Sequence, residues 1–112
     1  METAMMRMRV YLKESDHHGG KPLYLALLSM LRDEGVRGAT AVRGIAGYGA
    51  HSELHTDRIL RLTQDLPVVV EAVDEAARIE RARARVEALL ESGMITVEPV
   101  AAVFHHHPKA GG

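Results

Sequence analysis

The sequence contains no cysteine, which removes a disulfide framework, a thiolate nucleophile and any cysteine-ligated zinc site together. It has no tryptophan, one phenylalanine and three tyrosines, so its core must be built from Val, Leu, Ile, Ala and Met. The same scarcity argues against an RNA-recognition sheet, which needs exposed aromatics on its central strands. Neither sign of charge dominates: fourteen Lys and Arg face fifteen Asp and Glu, whereas a dedicated nucleic-acid binder carries a clear basic surplus. No apolar run approaches the roughly 18 residues that cross a bilayer, and Met1–Arg9 lacks the apolar stretch of a signal peptide. The expectation is a cytoplasmic protein with no membrane insertion and no nucleic-acid partner.

What is present is a chain of 112 residues, 46% of them hydrophobic. That suits a single domain, expected to span 1–112 with a core over about 6–104 and a short C-terminal tail. A domain of this size buries only part of its surface, and a homo-oligomer would relieve that shortage. Met6, Met8, Val10 and Leu12 alternate with Arg7, Arg9, Tyr11 and Lys13, the period of a half-buried strand. A polar loop, Ser15–Lys21, follows. Pro22 then stands where a first helical residue belongs, and Tyr24, Leu27, Leu28 and Leu31 form one apolar helix face. Gly35 suits the position just past the helix end. Ala39–Ala46 reads as a second strand, and Val68–Val73, opened by Pro67, as a third, buried on both faces. Asp74 suits the N-cap of a second helix, whose stripe is Ile79, Ala82, Val86, Leu89 and Leu90 and which Gly93 ends. Met94–Glu98 is the last strand, with Val100–Phe104 as a further edge segment. The order β-α-β-β-α-β defines an α+β, ferredoxin-like fold: an antiparallel four-stranded sheet with both helices on one face. Several positions on its other face are apolar, which points to covering by neighbouring subunits.

Two stretches invite a chemical reading. Gly38–Gly49 holds four glycines and Arg43. Glycine lets backbone N–H groups approach an anion, arginine offers a planar fork for phosphate or carboxylate, and Tyr48 could stack on a base. The same glycines also fit a strand end that simply bends, and the spacing matches neither a Walker A loop nor a dinucleotide fingerprint. Residues 48–65 form a long polar segment of a kind that is usually functional or disordered. It carries His51 and His55, which would share a face only if helical. Ile59, Leu60 and Leu62 suggest that its end packs down. His17-His18 and His105–His107 are adjacent histidines, a poor arrangement for sharing one metal. Arg83 with Glu87, and Asp74 with Arg78, have the spacing of pairs on a solvated helix. Glu14, Asp16 and the loop acids read as surface residues. No serine lies in a nucleophile-elbow context and no motif places a carboxylate pair, so no enzymatic activity is expected.

Taken as a series, Tyr11–Asp16, Gly20–Tyr24, Gly38–Thr40, Arg43–Gly49, His55-Thr56 and Asp65–Glu71 closely resemble the PII-like proteins grouped as domain of unknown function 190, over about residues 7–98. The resemblance implies a PII-like homotrimer whose sheets face one another around an axis. It implies a small-molecule effector, such as an adenine nucleotide or another small anion, bound in clefts between subunits. It also implies a long loop, here 48–65, that contacts a partner protein such as a membrane transporter or channel. The ligand-binding residues expected on this basis are Lys21, Arg43, Gly44, Gly47, Tyr48, Gly49 and His55. The chain departs from the family pattern where nucleotide-binding PII proteins carry a basic, glycine-rich phosphate loop: here that junction is only Glu91–Ile95, without the usual triphosphate grip. The alternative is a divalent-metal-binding trimer related to copper-tolerance-like proteins, using loop or tail histidines.

Overall fold

Alternation along the strands decides which face of the sheet is covered. A computed structural model describes residues 3–49 and 65–105. Its first strand, β1 (Thr3–Lys13), is longer than the alternation predicts. Two two-residue strands, β2 (His17–His18) and β3 (Lys21–Pro22), follow, then helix α1 (Leu23–Asp33), β4 (Ala39–Arg43), β5 (Pro67–Asp74), helix α2 (Ala76–Leu89) and β6 (Met94–Ala102). The four long strands form one antiparallel sheet in the order β4-β5-β1-β6. This is the ferredoxin-like arrangement, and it places β1 and β5 at the centre. Among the described residues no helix is long and apolar enough to cross a membrane.

Register puts Met8 opposite Ala72 and Val97, Val10 opposite Val70 and Ile95, and Leu12 opposite Val68. Side chains directly opposite each other share a face, so these form one apolar surface. Leu23, Leu27, Met30 and Leu31 of α1 and Ile79, Ala82 and Val86 of α2 pack onto it in a single core cluster. Each large aliphatic side chain buried here contributes about 1.5–3 kcal/mol relative to exposure. The core is aliphatic throughout, as the composition requires.

The other sheet face is organised in rows. Val42, Val69, Tyr11 and Met94 lie opposite one another across all four strands. The next row is Thr40, Glu71, Arg9 and Thr96, and the next contains Val73, Arg7 and Glu98. The charged members pair across strands: Arg9 with Glu71 at 2.6 Å, Arg7 with Glu98 at 2.5 Å and Arg9 with Glu98 at 3.7 Å. Hydrogen bonding from Arg7 holds the Glu98 carboxyl below its ordinary range. This face is therefore apolar at one level and ionic at the next. β5 is fully buried on one side only, its residues alternating between buried and half-buried.

β6 runs as one strand through Pro99 to Ala102 instead of ending at Glu98 before a separate edge segment, and four more details differ from expectation, each for a local reason. Pro22 precedes α1 as its N-cap residue, with an extended ψ of 134°, because it is also the end of a hairpin in which it pairs with His17. The predicted loop closes that hairpin through Gly19 and Gly20, at φ 58° and 81°, the two left-handed positions that a two-residue hairpin turn demands. β4 stops at Arg43 rather than Ala46: Gly44 N–H donates to Pro67 O at 2.7 Å, and Pro67 has no N–H with which to extend the ladder. Asp74 does not cap α2. It is the last residue of β5, fully buried, and Glu75 occupies the N-cap without a side-chain cap.

Asp74 is instead the meeting point of four segments. Its carboxylate accepts hydrogen bonds from Arg37 N–H and Arg37 Nη2, both at 2.9 Å, from Glu75 N–H at 2.7 Å and from Arg78 Nη1 at 3.1 Å. Burial works to raise its pKa, but the hydrogen bonds from Arg37 and Glu75 and the Arg37 charge prevail and lower it to about 2. The Arg37 guanidinium also lies 4.1 Å from the centre of the Phe104 ring, so the segment after β6 is tied to the same cluster.

Candidate functional site

The strongest chemical candidate is built where β4 ends and β5 begins. Arg43, the last residue of β4, has a side chain that is 57% exposed. Beyond it, the chain wraps around Pro67. A Cβ on Gly44 would lie 2.9 Å from the Pro67 ring, and one on Gly47 would lie 3.1 Å from it. Two of the four glycines thus have a packing reason of their own: only a missing side chain lets this turn sit on the proline. Ile45 and Tyr48 extend outward and are exposed.

The same corner receives the end of β1. Glu14 N–H donates to Leu66 O at 2.9 Å. Ser15 donates to Asp65 Oδ1 through its N–H at 3.3 Å and its hydroxyl at 2.7 Å. Asp16 folds back to accept from Lys13 N–H at 2.9 Å, and its carbonyl accepts from Leu23 N–H at 2.7 Å. Finally, Arg43 Nη2 donates to the Glu14 carboxylate. Arg43 and Leu12 both stand opposite Val68, so this ion pair reaches across β5 from the strand on one side to the chain leaving the strand on the other. Strands lie about 4.8 Å apart, so the span is roughly 10 Å, within the combined reach of these two long side chains. Arg43 at the end of β4 and Asp65 just before β5 are thereby both tied to the β1–α1 connection.

Of the seven residues expected from the sequence, the structure brings Arg43, Gly44 and Gly47 together around Pro67 and Glu14. Tyr48 and Gly49 continue the same stretch, Tyr48 being exposed. Lys21 lies on the β2–β3 hairpin, exposed and opposite His18. His55 lies outside the described residues, as do His51 and the proposed packing of Ile59, Leu60 and Leu62. Sequence reasoning missed Glu14, which is half-buried and paired rather than a free surface acid. The cue available was parity: Glu14 follows Leu12 on the covered side of β1.

Elsewhere, a groove of about 370 Å³ runs between α2 and β6, lined by Arg83, Glu87, Leu90, Gly93, Ile95 and Val97. Its cation, Arg83, is held by two carboxylates, Glu80 and Glu87, so its charge is more than balanced, whereas Arg43 is paired with one among the described residues. Gly93, at φ 127°, is forced by its surroundings, since a Cβ there would lie 2.3 Å from Tyr11 O. The α2–β6 junction is thus a tight turn pressed against β1. Among the described residues no group of three or more His, Cys, Asp or Glu is arranged to hold a metal ion.

Comparison with solved structures shows the same fold in CPII from Thiomonas intermedia K12. The complex of that protein with ADP, AMP and acetate superposes with a TM-score of 0.68 over 93% of each chain, at 15% identity. Its complex with ADP, AMP and bicarbonate, described as a nitrogen regulatory PII-like protein, gives a TM-score of 0.67 over 92% of this chain and 99% of that one, at 14% identity. The fold is PII-like. In sequence, a UPF0166 protein of Aquifex aeolicus is 36% identical over 97 residues, covering 87% of this chain and 91% of the relative. The family model DUF190 (Uncharacterized ACR, COG1993) matches residues 5–102. On that match and that identity, the chain belongs to the DUF190 family.

Proposed function

We propose that this protein is a non-enzymatic, PII-like regulator that binds a small anion at the corner formed by Arg43–Gly49 and reports occupancy to a partner protein through the adjoining segment 48–65. The observation that carries the reading is the Arg43 guanidinium. The side chain stands more than half exposed at the root of that segment, just before a turn that two glycines and Pro67 hold close to the sheet. A planar, permanently charged fork at such a place suits phosphate or carboxylate. The bound ADP, AMP, acetate and bicarbonate of the CPII structures make an adenine nucleotide or a bicarbonate-sized anion the ligands to try first. Tyr48 is available for a base to stack on, and Lys21 and His55 are further proposed contacts.

The assembly in this reading is a homotrimer with the ligand in a cleft between subunits, its ligand-dependent shift in population read by a transporter or channel. The support for self-association is the row Val42, Val69, Tyr11 and Met94, which leaves Val42 and Met94 more than half exposed on the face the helices do not cover. The test is isothermal titration of the protein with AMP, ADP and sodium bicarbonate, repeated with Arg43→Ala. Binding to at least one, weakened tenfold or more by the substitution, is the expected result. No heat with any of them, or an unaffected variant, rejects the site.

A further inference from the structure

We infer that Glu14 is a built-in competitor for the proposed anion site: its carboxylate occupies the Arg43 fork, and an anion binds by displacing it. The inference rests on the reading that Arg43 is an anion-binding residue, and adds what controls its affinity.

The geometry is specific. Among the described residues three carboxylates belong to this corner, Glu14, Asp16 and Asp65. Asp65 is taken up by the Ser15 hydroxyl and N–H, and Asp16 by the Lys13 N–H. Glu14 is the one that pairs with Arg43 among the described residues. It is also placed by backbone rather than by chance contact, because its N–H is bound to Leu66 O immediately before β5. With Glu14 in place, the charge of Arg43 is neutralised and the fork is partly filled, so an incoming phosphate or carboxylate meets a like charge. With Glu14 displaced, the full guanidinium is available. The Arg43 side chain is 57% exposed and the Glu14 side chain 23%, so the pair is partly solvated, and pairs of that kind hold weakly. A phosphate monoester, with more charge than a carboxylate, is a sufficient rival. The exchange also sets a threshold: weak monovalent anions at low concentration leave Glu14 where it is.

The experiment is titration of the full chain with AMP and, separately, with sodium bicarbonate, comparing wild type, Glu14→Gln and Glu14→Gln combined with Arg43→Gln. Glutamine keeps the shape of Glu14 and removes its charge. The expected result is about two- to fivefold tighter binding by Glu14→Gln, the gain that a partly exposed pair allows, and loss of that gain when Arg43 is also replaced. A wild type that binds neither anion beside a Glu14→Gln variant that binds one gives the same support. Wild-type binding that is equalled or weakened in Glu14→Gln overturns the competitor role and leaves Arg43 as the site. Silence from both proteins overturns the two readings together. An independent readout uses the wild type alone: the carboxyl carbon resonance of Glu14 should shift as AMP or bicarbonate saturates the protein, and a resonance that stays put while ligand binds refutes displacement.

Discussion

Replacing Asp74 by asparagine tests the central electrostatic claim about the fold. Asp74 is fully buried and accepts four hydrogen bonds from Arg37, Glu75 and Arg78. Its pKa falls from an ordinary 3.8 to about 2 in the folded protein. A folded pKa below the unfolded one means that the native state holds the ionised form more tightly. The contribution is therefore complete above about pH 4 and is lost as pH falls from there towards 2. At about 1.4 kcal/mol per unit, the shift is worth about 2.5 kcal/mol. Asparagine adds the cost of turning an NH2 towards donors, so the loss at pH 7 should lie between about 2.5 kcal/mol and the roughly 3–5 kcal/mol typical of a broken buried pair. The assay is urea unfolding of both proteins at one fixed concentration, because self-association would otherwise move the midpoint. Repeated from pH 7 down to pH 2, the gap between wild type and Asp74→Asn should be widest at neutral pH and narrow below pH 4. The other carboxylates titrate in both proteins and cancel in the difference. An equal midpoint at pH 7, or a gap that ignores pH, refutes the reasoning.

Two further outcomes are expected. Gly93→Ala places a Cβ 2.3 Å from Tyr11 O at a φ of 127°, so it should cost at least about 2 kcal/mol and lower the thermal midpoint; an unchanged melt would refute the steric requirement for glycine at the α2–β6 turn. Phe104→Ala should lose the ring contact with Arg37 at 4.1 Å, and a double-mutant cycle with Arg37→Met should return a coupling of about 0.5–1 kcal/mol, with zero coupling as the contrary result.

The parts of the fold that follow from periodicity were legible in the sequence. The alternation Met6–Lys13 and the spacing Tyr24–Leu31 report which side of an element is covered, and that information is local. Partners are not local. Asp74 and Arg37 are 37 positions apart and Arg43 and Glu14 are 29 apart, so neither pair leaves a pattern in any short window. Asp74 after a strand and before a helix looks like a cap. Its true role was hinted at by parity, because Val68, Val70 and Ala72 put it on the covered face, where an ionised carboxyl requires a cation. For the candidate site, the glycines of Gly38–Gly49 stood out in the sequence. Their closeness to Pro67, and the acid already seated on Arg43, depend on strands that meet only in the folded sheet.

The position of β1 has a consequence for how the protein comes into being. This strand has β5 on one side and β6 on the other, with Thr3 opposite Ala102. On the ribosome, this central strand is made before both of its neighbours. Met8, Val10 and Leu12 wait through α1, β4 and everything after them before Val68–Ala72 can pair, and longer still for Ile95 and Val97. Closing such long loops before any ladder forms slows folding relative to a helical bundle of the same size. The aliphatic first strand spends that interval as an unpartnered edge, open to association with other nascent chains. Production of the protein is thus expected to respond to translation rate and chaperone supply through a strand that, once folded, is paired along both edges.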